Sequence, residues 1–220
     1  MIGYFVTGTD TNVDKTYVTC ALARRARALG HRVFAFKPIE TGCMASPTGE
    51  LVGADQELLH EASGGWQHGL LRGVYRFKLP AAPLVAADAE AATVDLDVIA
   101  QVAHQGAEAD GVSLTLVEGA GGWRVPITRT ADMGTMAKRL GLPVLIAARA
   151  GLGTINHTLL TIEAVEREGL SVAGVVLSER PEEDRTMTLS NQEQIGRCWP
   201  GQVLVLGPPE VLDPLLRPRP

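Results

Sequence analysis

Residues 2–16 read IGYFVTGTDTNVDKT, and the reading of this stretch decides the fold. The run IGYFVT is nearly all apolar and predicts a buried strand, followed by a turn rich in glycine and threonine. Lys15-Thr16 then opens a helical pattern. Strand, tight turn and Lys-Thr is the layout of a phosphate-binding loop, G-x-x-x-x-G-K-[ST]. In such a loop successive backbone N–H groups and a helix N-terminus converge on an anion. One position departs from the pattern: Asp14 stands where the glycine before the lysine belongs. Taken alone, the stretch allows a nucleotide loop carrying an aspartate, or a βα turn that binds nothing.

Working outward, five more short apolar runs predict strands at 32–37, 113–118, 143–148, 172–177 and 203–206. They are apolar nearly throughout, as strands buried on both faces of a parallel sheet are. Helical patterns lie between them. Val18, Leu22, Ala26 and Leu29 recur at three- to four-residue spacing in a helix over 15–29 that Gly30 stops. Further helices are expected over 96–108, 130–140, 154–168 and 183–197, with Gly141 and Gly169 as C-caps. Strands alternating with helices imply a three-layer α/β/α domain with a mainly parallel sheet, P-loop NTPase-like. Residues 1–220 read as one domain, with 43–53 a loop and the tail LLRPRP a frayed end.

The 220 residues are 45% hydrophobic and 20% charged, with a net charge of −5 and no run of like charges. Neither nucleic acid nor a membrane surface is suggested as partner. Three scattered cysteines, Cys20, Cys43 and Cys198, argue for reduced thiols over a disulfide framework or zinc site. No basic segment precedes the first apolar run, and no apolar stretch reaches the roughly 20 residues of a membrane span. A cytoplasmic protein is expected.

Three other places carry chemistry that a phosphate loop needs. LVEGAGG (116–122) brings Glu118 to the end of a strand, before a turn whose glycines permit close backbone approach. A carboxylate at the carboxyl end of a neighbouring strand is well placed for Mg²⁺; the plainer alternative is a solvated acid in a turn. Lys37 ends the second strand and points its chemistry at the same crevice, or is an ordinary surface lysine. Asp55 opens the helical pattern ADQELLHEA, as a site residue or as an N-cap. Their convergence on one edge of one sheet is what favours a site.

With these blocks in view, the chain resembles the dethiobiotin synthase family. FVTGTDTNVDKT (5–16) matches that family's loop at all but one fixed position, and KPIETG (37–42) matches its second block. VEGAGGWRVPIT (117–128) and LGTINHTLLT (152–161) match the third and fourth, in order and spacing. The resemblance implies ATP and Mg²⁺, with Lys15, Lys37 and Thr11 as catalytic residues. It implies nucleotide contacts from Asn12, Val13, Asp14, Lys15, Thr16 and Tyr17, from Asp55, Glu118, Gly119, Ala120 and Gly121, and from Ser178, Glu179 and Pro208. Thr16, Asp55 and Glu118 would hold the metal, and Thr41, Gly121 and Asn156 the substrate. Asn156 would reach across a homodimer whose sites lie at the subunit interface. The implied substrates are 7,8-diaminopelargonate, CO₂ and ATP, closed into the cyclic urea of dethiobiotin with release of ADP and phosphate. His157, in the same block, is expected to pack or cap.

Two departures stand out. Ser178-Glu179 occupy the place where the family offers Asn-Asp-like residues to the base, and a serine has one hydroxyl where an amide both donates and accepts. Asp14 is the larger one. Pointed inward, its carboxylate repels a phosphate a few Å away by about 1–4 kcal/mol at effective dielectrics of 80 to 20. Turned outward, or paired with Lys15, it does something else. The competing readings are therefore a working synthase with weakened ATP affinity, a non-catalytic or regulatory relative, and a dimeric P-loop switch ATPase.

Overall fold

The computed structural model describes residues 2–179 and 183–217. The chain begins β1 (Ile2–Gly8), α1 (Lys15–Ala28), β2 (Arg32–Phe36), β3 (Ile39–Thr41), β4 (Met44–Ala45), β5 (Leu51–Val52) and α2 (Ala54–Ala62). It continues through β6 (Tyr75–Phe77), α3 (Pro83–Ala89), α4 (Leu96–Ala107), β7 (Val112–Gly122), α5 (Met133–Leu140), β8 (Val144–Arg149) and α6 (Thr154–Arg167). Then come β9 (Val172–Ser178), α7 (Arg185–Cys198), β10 (Val203–Val205) and a 3₁₀ segment, Pro209–Leu216.

Six strands form one sheet in the order β10-β9-β8-β1-β7-β2, and every pairing in it is parallel. The expected three-layer architecture follows from alternation along these strands. Tyr4, Val6, Val33, Ala35, Leu114 and Leu116 face one core, with Val18 and Leu22 of α1 and Leu59 of α2. Phe5, Phe34, Phe36 and Val117 face the other, with Ile99 of α4, Met133 of α5, Ile162 of α6 and Ile195 of α7. Because β1 lies between β8 and β7 while its crossover leads past β7 to β2, the strand order reverses beside β1. Open parallel sheets bind ligands at such a reversal, outside the carboxyl ends of the strands.

Several expectations need correction. Glu118 does not end its strand: β7 runs on through the three glycines to Gly122, with the register shifting between Val6 and Gly8 of β1. The glycines add no side chain that would force the backbone out of the ladder. Residues 43–53 are not wholly loop, since β4 and β5 form a short antiparallel hairpin. Leu29 is exposed at the C-cap of α1, outside the apolar stripe. Helix 130–140 begins only at Met133, where Asp132 and Thr135 form a capping box. Gly141 does take the left-handed C-cap conformation (φ 65°).

The tail is the most informative miss. Leu215 and Leu216 are buried, the Tyr4 hydroxyl donates to the Leu215 carbonyl at 2.7 Å, and Arg25 donates twice to Asp213. Prolines hide the pattern, because Pro209 and Pro214 leave only a 3₁₀ turn to carry it. The last three residues of the expected frayed end lie outside the described residues. Leu215→Ala is expected to cost about 2–5 kcal/mol by cavity formation, read as a lowered urea midpoint; a change under 0.5 kcal/mol would mean the tail does frame the site-bearing sheet only loosely.

Candidate active site

The loop between β1 and α1 wraps the end of the sheet as the sequence predicts. Gly8 is required there by space: a Cβ would stand 2.7 Å from the Asp10 carbonyl oxygen and 3.0 Å from the Lys15 ammonium. Asn12 and Asp14 both adopt positive φ, 57° and 62°, a conformation Asn and Asp tolerate better than most residues. Asp14 is the residue before α1 and does not cap it with its side chain. The Asp14 carboxylate turns toward β9, where Ser178 Oγ donates to it at 2.9 Å. The Lys15 ammonium instead donates to the Asp10 carbonyl at 3.1 Å. Thr11 N–H closes the loop by donating to the Asp10 carboxylate at 2.7 Å.

Beside the loop lies a buried polar cluster that joins four of the expected residues. The Lys37 ammonium sits just beyond β2, bonded to the Asp55 carboxylate and at 3.1 Å to Glu118 Oε1. Glu118 is fully buried and also accepts from Thr16 Oγ1 and Thr19 Oγ1, each at 2.7 Å. Burial alone would lower Lys37, but the Glu118 and Asp55 carboxylates outweigh it and hold the ammonium well above the usual lysine range. Lys15 has no such partner at hand: burial lowers it, and Glu118 only partly opposes that. The two lysines are thus unequal, Lys37 a fixed cation and Lys15 a cation seeking an anion.

Glu40, within KPIETG, is the functional neighbour that sequence reasoning missed. Its buried carboxylate accepts from the backbone N–H groups of Asp55 and Gln56, at 2.9 and 2.8 Å. It therefore serves the N-terminus of α2 from outside the helix, while Gly53, not Asp55, is the N-cap residue. This frees the Asp55 side chain for Lys37. Gly53 must be small, because a Cβ would lie 2.7 Å from the Glu40 carboxyl carbon. No local pattern around Glu40 signals this role, because its partners lie 15 and 16 positions away.

A cavity of about 920 Å³ opens over these groups, lined by residues 11–17, Lys37, Glu40, Thr41, Asp55, Ala120 and Gly121. Its far wall is Pro80–Pro83 with Val125, a stretch the sequence reading did not single out; Pro83 starts α3 at the helix position that proline favours. Glu118 lies beneath this cavity, out of solvent. Gly119 faces the core instead, where a Cβ would press on Phe5 at 3.0 Å. A second cavity of about 290 Å³ lies on the other side of the loop, lined by Thr9–Val13, Arg149, Gly151, Leu152, Thr154 and His157. Asn156 is exposed on the first turn of α6 and lines neither cavity. Glu179 is bonded to Arg185, and Pro208 is exposed before the 3₁₀ segment; neither reaches the main cavity.

The donor set at the cluster suits a hard cation. Thr16, Asp55 and Glu118 supply oxygens only, and Mg²⁺ is held by one or two carboxylates together with substrate phosphates. Among the described residues no group of three His, Cys, Asp or Glu side chains is placed to hold a metal ion. Thiol chemistry has no support here, since burial pushes the nearby Cys20 up to about 12.

Comparison with known proteins agrees with this geometry. Residues 3–213 match the family model described as AAA domain. The chain is 46% identical over 209 residues to the ATP-dependent dethiobiotin synthetase of Anaeromyxobacter dehalogenans strain 2CP-C, covering 94% of this chain and 90% of that protein. It is 44% identical, with the same coverage, to the ATP-dependent dethiobiotin synthetase of Anaeromyxobacter sp. strain K. In fold it is similar to the MinD cell division protein of Aquifex aeolicus, with a TM-score of 0.58 at 13% identity, over 98% of this chain and 86% of that one. The latter likeness concerns architecture alone. With its phosphate-loop α/β/α fold and this extent of identity, the chain belongs to the dethiobiotin synthetase family.

Proposed function

We propose that the protein is an ATP- and Mg²⁺-dependent cyclo-ligase that carboxylates and closes 7,8-diaminopelargonate to dethiobiotin in biotin biosynthesis. One amine of the diamine takes up CO₂ as a carbamate, and a carbamate oxygen attacks the γ-phosphorus of ATP, expelling ADP. The second amine then attacks the carbamate carbon of the mixed anhydride and releases phosphate. The observation that carries this reading is the Lys37–Asp55–Glu118–Thr16 cluster against an intact Lys15 loop. A chain that had lost its chemistry has no reason to keep a buried carboxylate and a buried ammonium together with the half-buried Asp55, since unpaired buried charges are costly.

In this reading Lys15 holds the β- and γ-phosphates, and Lys37 neutralises the carbamate and the transferring phosphoryl group. Thr16, Asp55 and Glu118 hold Mg²⁺, which when bound supplies charge neutralisation across the phosphates. Thr11, at the rim shared by both cavities, faces the reacting groups, and Thr41 and Gly121 face the diamine. Phosphoryl transfer asks for positioning and charge, not a covalent nucleophile. The nucleoside extends along Asn12–Tyr17 toward Ser178, Glu179 and Pro208.

A cytoplasmic homodimer belongs to the same proposal. What supports it is a row of exposed apolar side chains around Asn156, with Leu152 87% and Leu160 56% exposed. Among the described residues no helix is long and apolar enough to cross a membrane. The alternative of a non-catalytic relative rests on Asp14 alone, and what speaks for the working enzyme is the contact with Ser178, which gives that carboxylate a partner away from Lys15.

The central test is ATP- and bicarbonate-dependent conversion of the diamine, with one ADP and one phosphate per dethiobiotin. Native protein that binds no MgATP at millimolar concentration, while Asp14→Gly does, would hand the case to the non-catalytic reading; diamine bound by neither form would remove the substrate. Asp55→Asn should lower turnover about a hundredfold. Its effect on stability should be about 1–3 kcal/mol, because the buried Lys37 loses one of its two carboxylates while Glu118 stays bonded to it and Asp55 is itself 36% exposed. Lys15 gives a pH test. Its ammonium is the anion-binding form and its empty-site value is lowered, so MgATP affinity should fall as pH rises through a range below that of ordinary lysine. Lys15→Arg should flatten this profile; an identical profile for both would assign the titration elsewhere.

A further inference from the structure

We infer that Asp14 and Ser178 form one positioning unit: the Ser178 hydroxyl holds the Asp14 carboxylate off the anion path and so permits a nucleotide loop to function with an aspartate before its lysine. The inference rests on the ATP-binding reading above. It starts from the two residues that depart from the family pattern, which the fold brings into contact although they are separated by 164 positions in the chain.

The contact is built to be stiff. Ser178 ends β9 and is 3% exposed; its carbonyl accepts from Ala150 N–H at 2.9 Å, and Arg149 of β8 is its register partner. From that anchored position Ser178 Oγ donates to Asp14 Oδ2 at 2.9 Å. On the other side, Asp14 is fixed by its left-handed backbone (φ 62°, ψ 31°) and by its carbonyl, which accepts the Val18 N–H at 3.0 Å. Neither end drifts without breaking a strand or the first turn of α1.

Without this bond the carboxylate has another attractive partner. Asp14 lines the main cavity together with Lys15 and Lys37, and Lys15 is the cation with no carboxylate bonded to it. A carboxylate swung onto Lys15 would cancel the charge that binds phosphate and occupy the anion's place. Held by Ser178, it lies near the N-terminus of α1, where negative charge is favourable, and its own backbone N–H stays available. Serine suits this role because a hydroxyl can donate to a carboxylate from a buried strand end, and hydrogen bonds to charged groups are the stronger kind.

The test is direct calorimetry of MgATP binding to the full chain, without diamine, for native, Ser178→Ala, Asp14→Gly and the double variant. Ser178→Ala should weaken MgATP about tenfold, and beside Asp14→Gly it should cost less than a third of that factor. Ser178→Thr, which keeps the hydroxyl, should restore most of the affinity, and in turnover assays the loss should fall on KM for ATP more than on kcat. A purely structural role for Ser178 would instead lower affinity equally with aspartate or glycine at position 14. Equal losses, or none, overturn the inference. Native protein that fails to bind MgATP overturns both this inference and the reading it rests on, whereas native binding that ignores Ser178→Ala overturns the inference alone.

Discussion

The structure depends on keeping one ammonium, that of Lys37, buried between two carboxylates. An ion taken out of water costs several kcal/mol even after relaxation, and only close partners with further hydrogen bonds offset it. Each member here meets that condition. Glu118 receives Lys37, Thr16 and Thr19, and Asp55 is held in place because Glu40 takes the backbone N–H groups at its helix end. The cluster ties β2, β7, α1 and α2 together at the carboxyl ends of the strands. The requirement for satisfied charge, more than apolar burial, fixes how these elements meet. A cluster this costly has a functional rationale. In the proposed reading its oxygens would serve a cation delivered with phosphates, and its lysine an acid delivered with the substrate.

Asp14 illustrates how a loop tolerates a residue its pattern excludes. Two demands act on the glycine of a phosphate loop: a left-handed backbone and no side chain near the anion. Aspartate meets the first at moderate cost. The second is met from elsewhere in the chain, by a serine at the end of β9, two strands along the sheet from β1. The electrostatic objection raised by the sequence presumes an inward carboxylate, and the observed rotamer removes that presumption. Two substitutions that look like separate defects in the linear pattern are a single local arrangement in space.

Legibility follows the range of the physics involved. The parallel sheet was legible because burial on both faces makes strands apolar throughout, and the loop because strand, turn and Lys-Thr lie within sixteen residues. Lys37 and Asp55 were legible as residues just past a strand and at a helix start, and Glu118 as an acid on a neighbouring strand, though not at its end. Glu40 was not, because nothing local distinguishes an acid that serves another segment's N–H groups from one in solvent. Pro80–Pro83 drew no reading from the sequence, although rigid backbone beside small alanines is what a cavity wall needs. The buried tail escaped because its prolines replace helical periodicity with a 3₁₀ turn, leaving Leu212, Leu215 and Leu216 without a recognisable period.

The same reasoning explains why β7 outran its expected end. Three glycines in five residues normally announce a turn, yet glycine equally permits a strand to pass close to other backbone. It is Gly121, at φ 69° and with an added Cβ 2.7 Å from Val125, that must be glycine. At Gly122 an added Cβ would meet only ordinary contacts, 3.5 Å from the Gly8 carbonyl and 3.7 Å from Asp10, so the strand runs beside the phosphate loop there. That contact carries the cluster's geometry to the loop. Glu118 pairs with Val6 and Gly122 with Gly8, and between them the register shifts, so Ala120 and Gly121, at the cavity, lie in an irregular stretch of the β1–β7 ladder. Glu118 and the cavity-lining backbone of Ala120 and Gly121 still share one strand. A turn after Glu118 would have separated them, whereas this strand, irregular and with Gly121 at φ 69°, carries both past the phosphate loop.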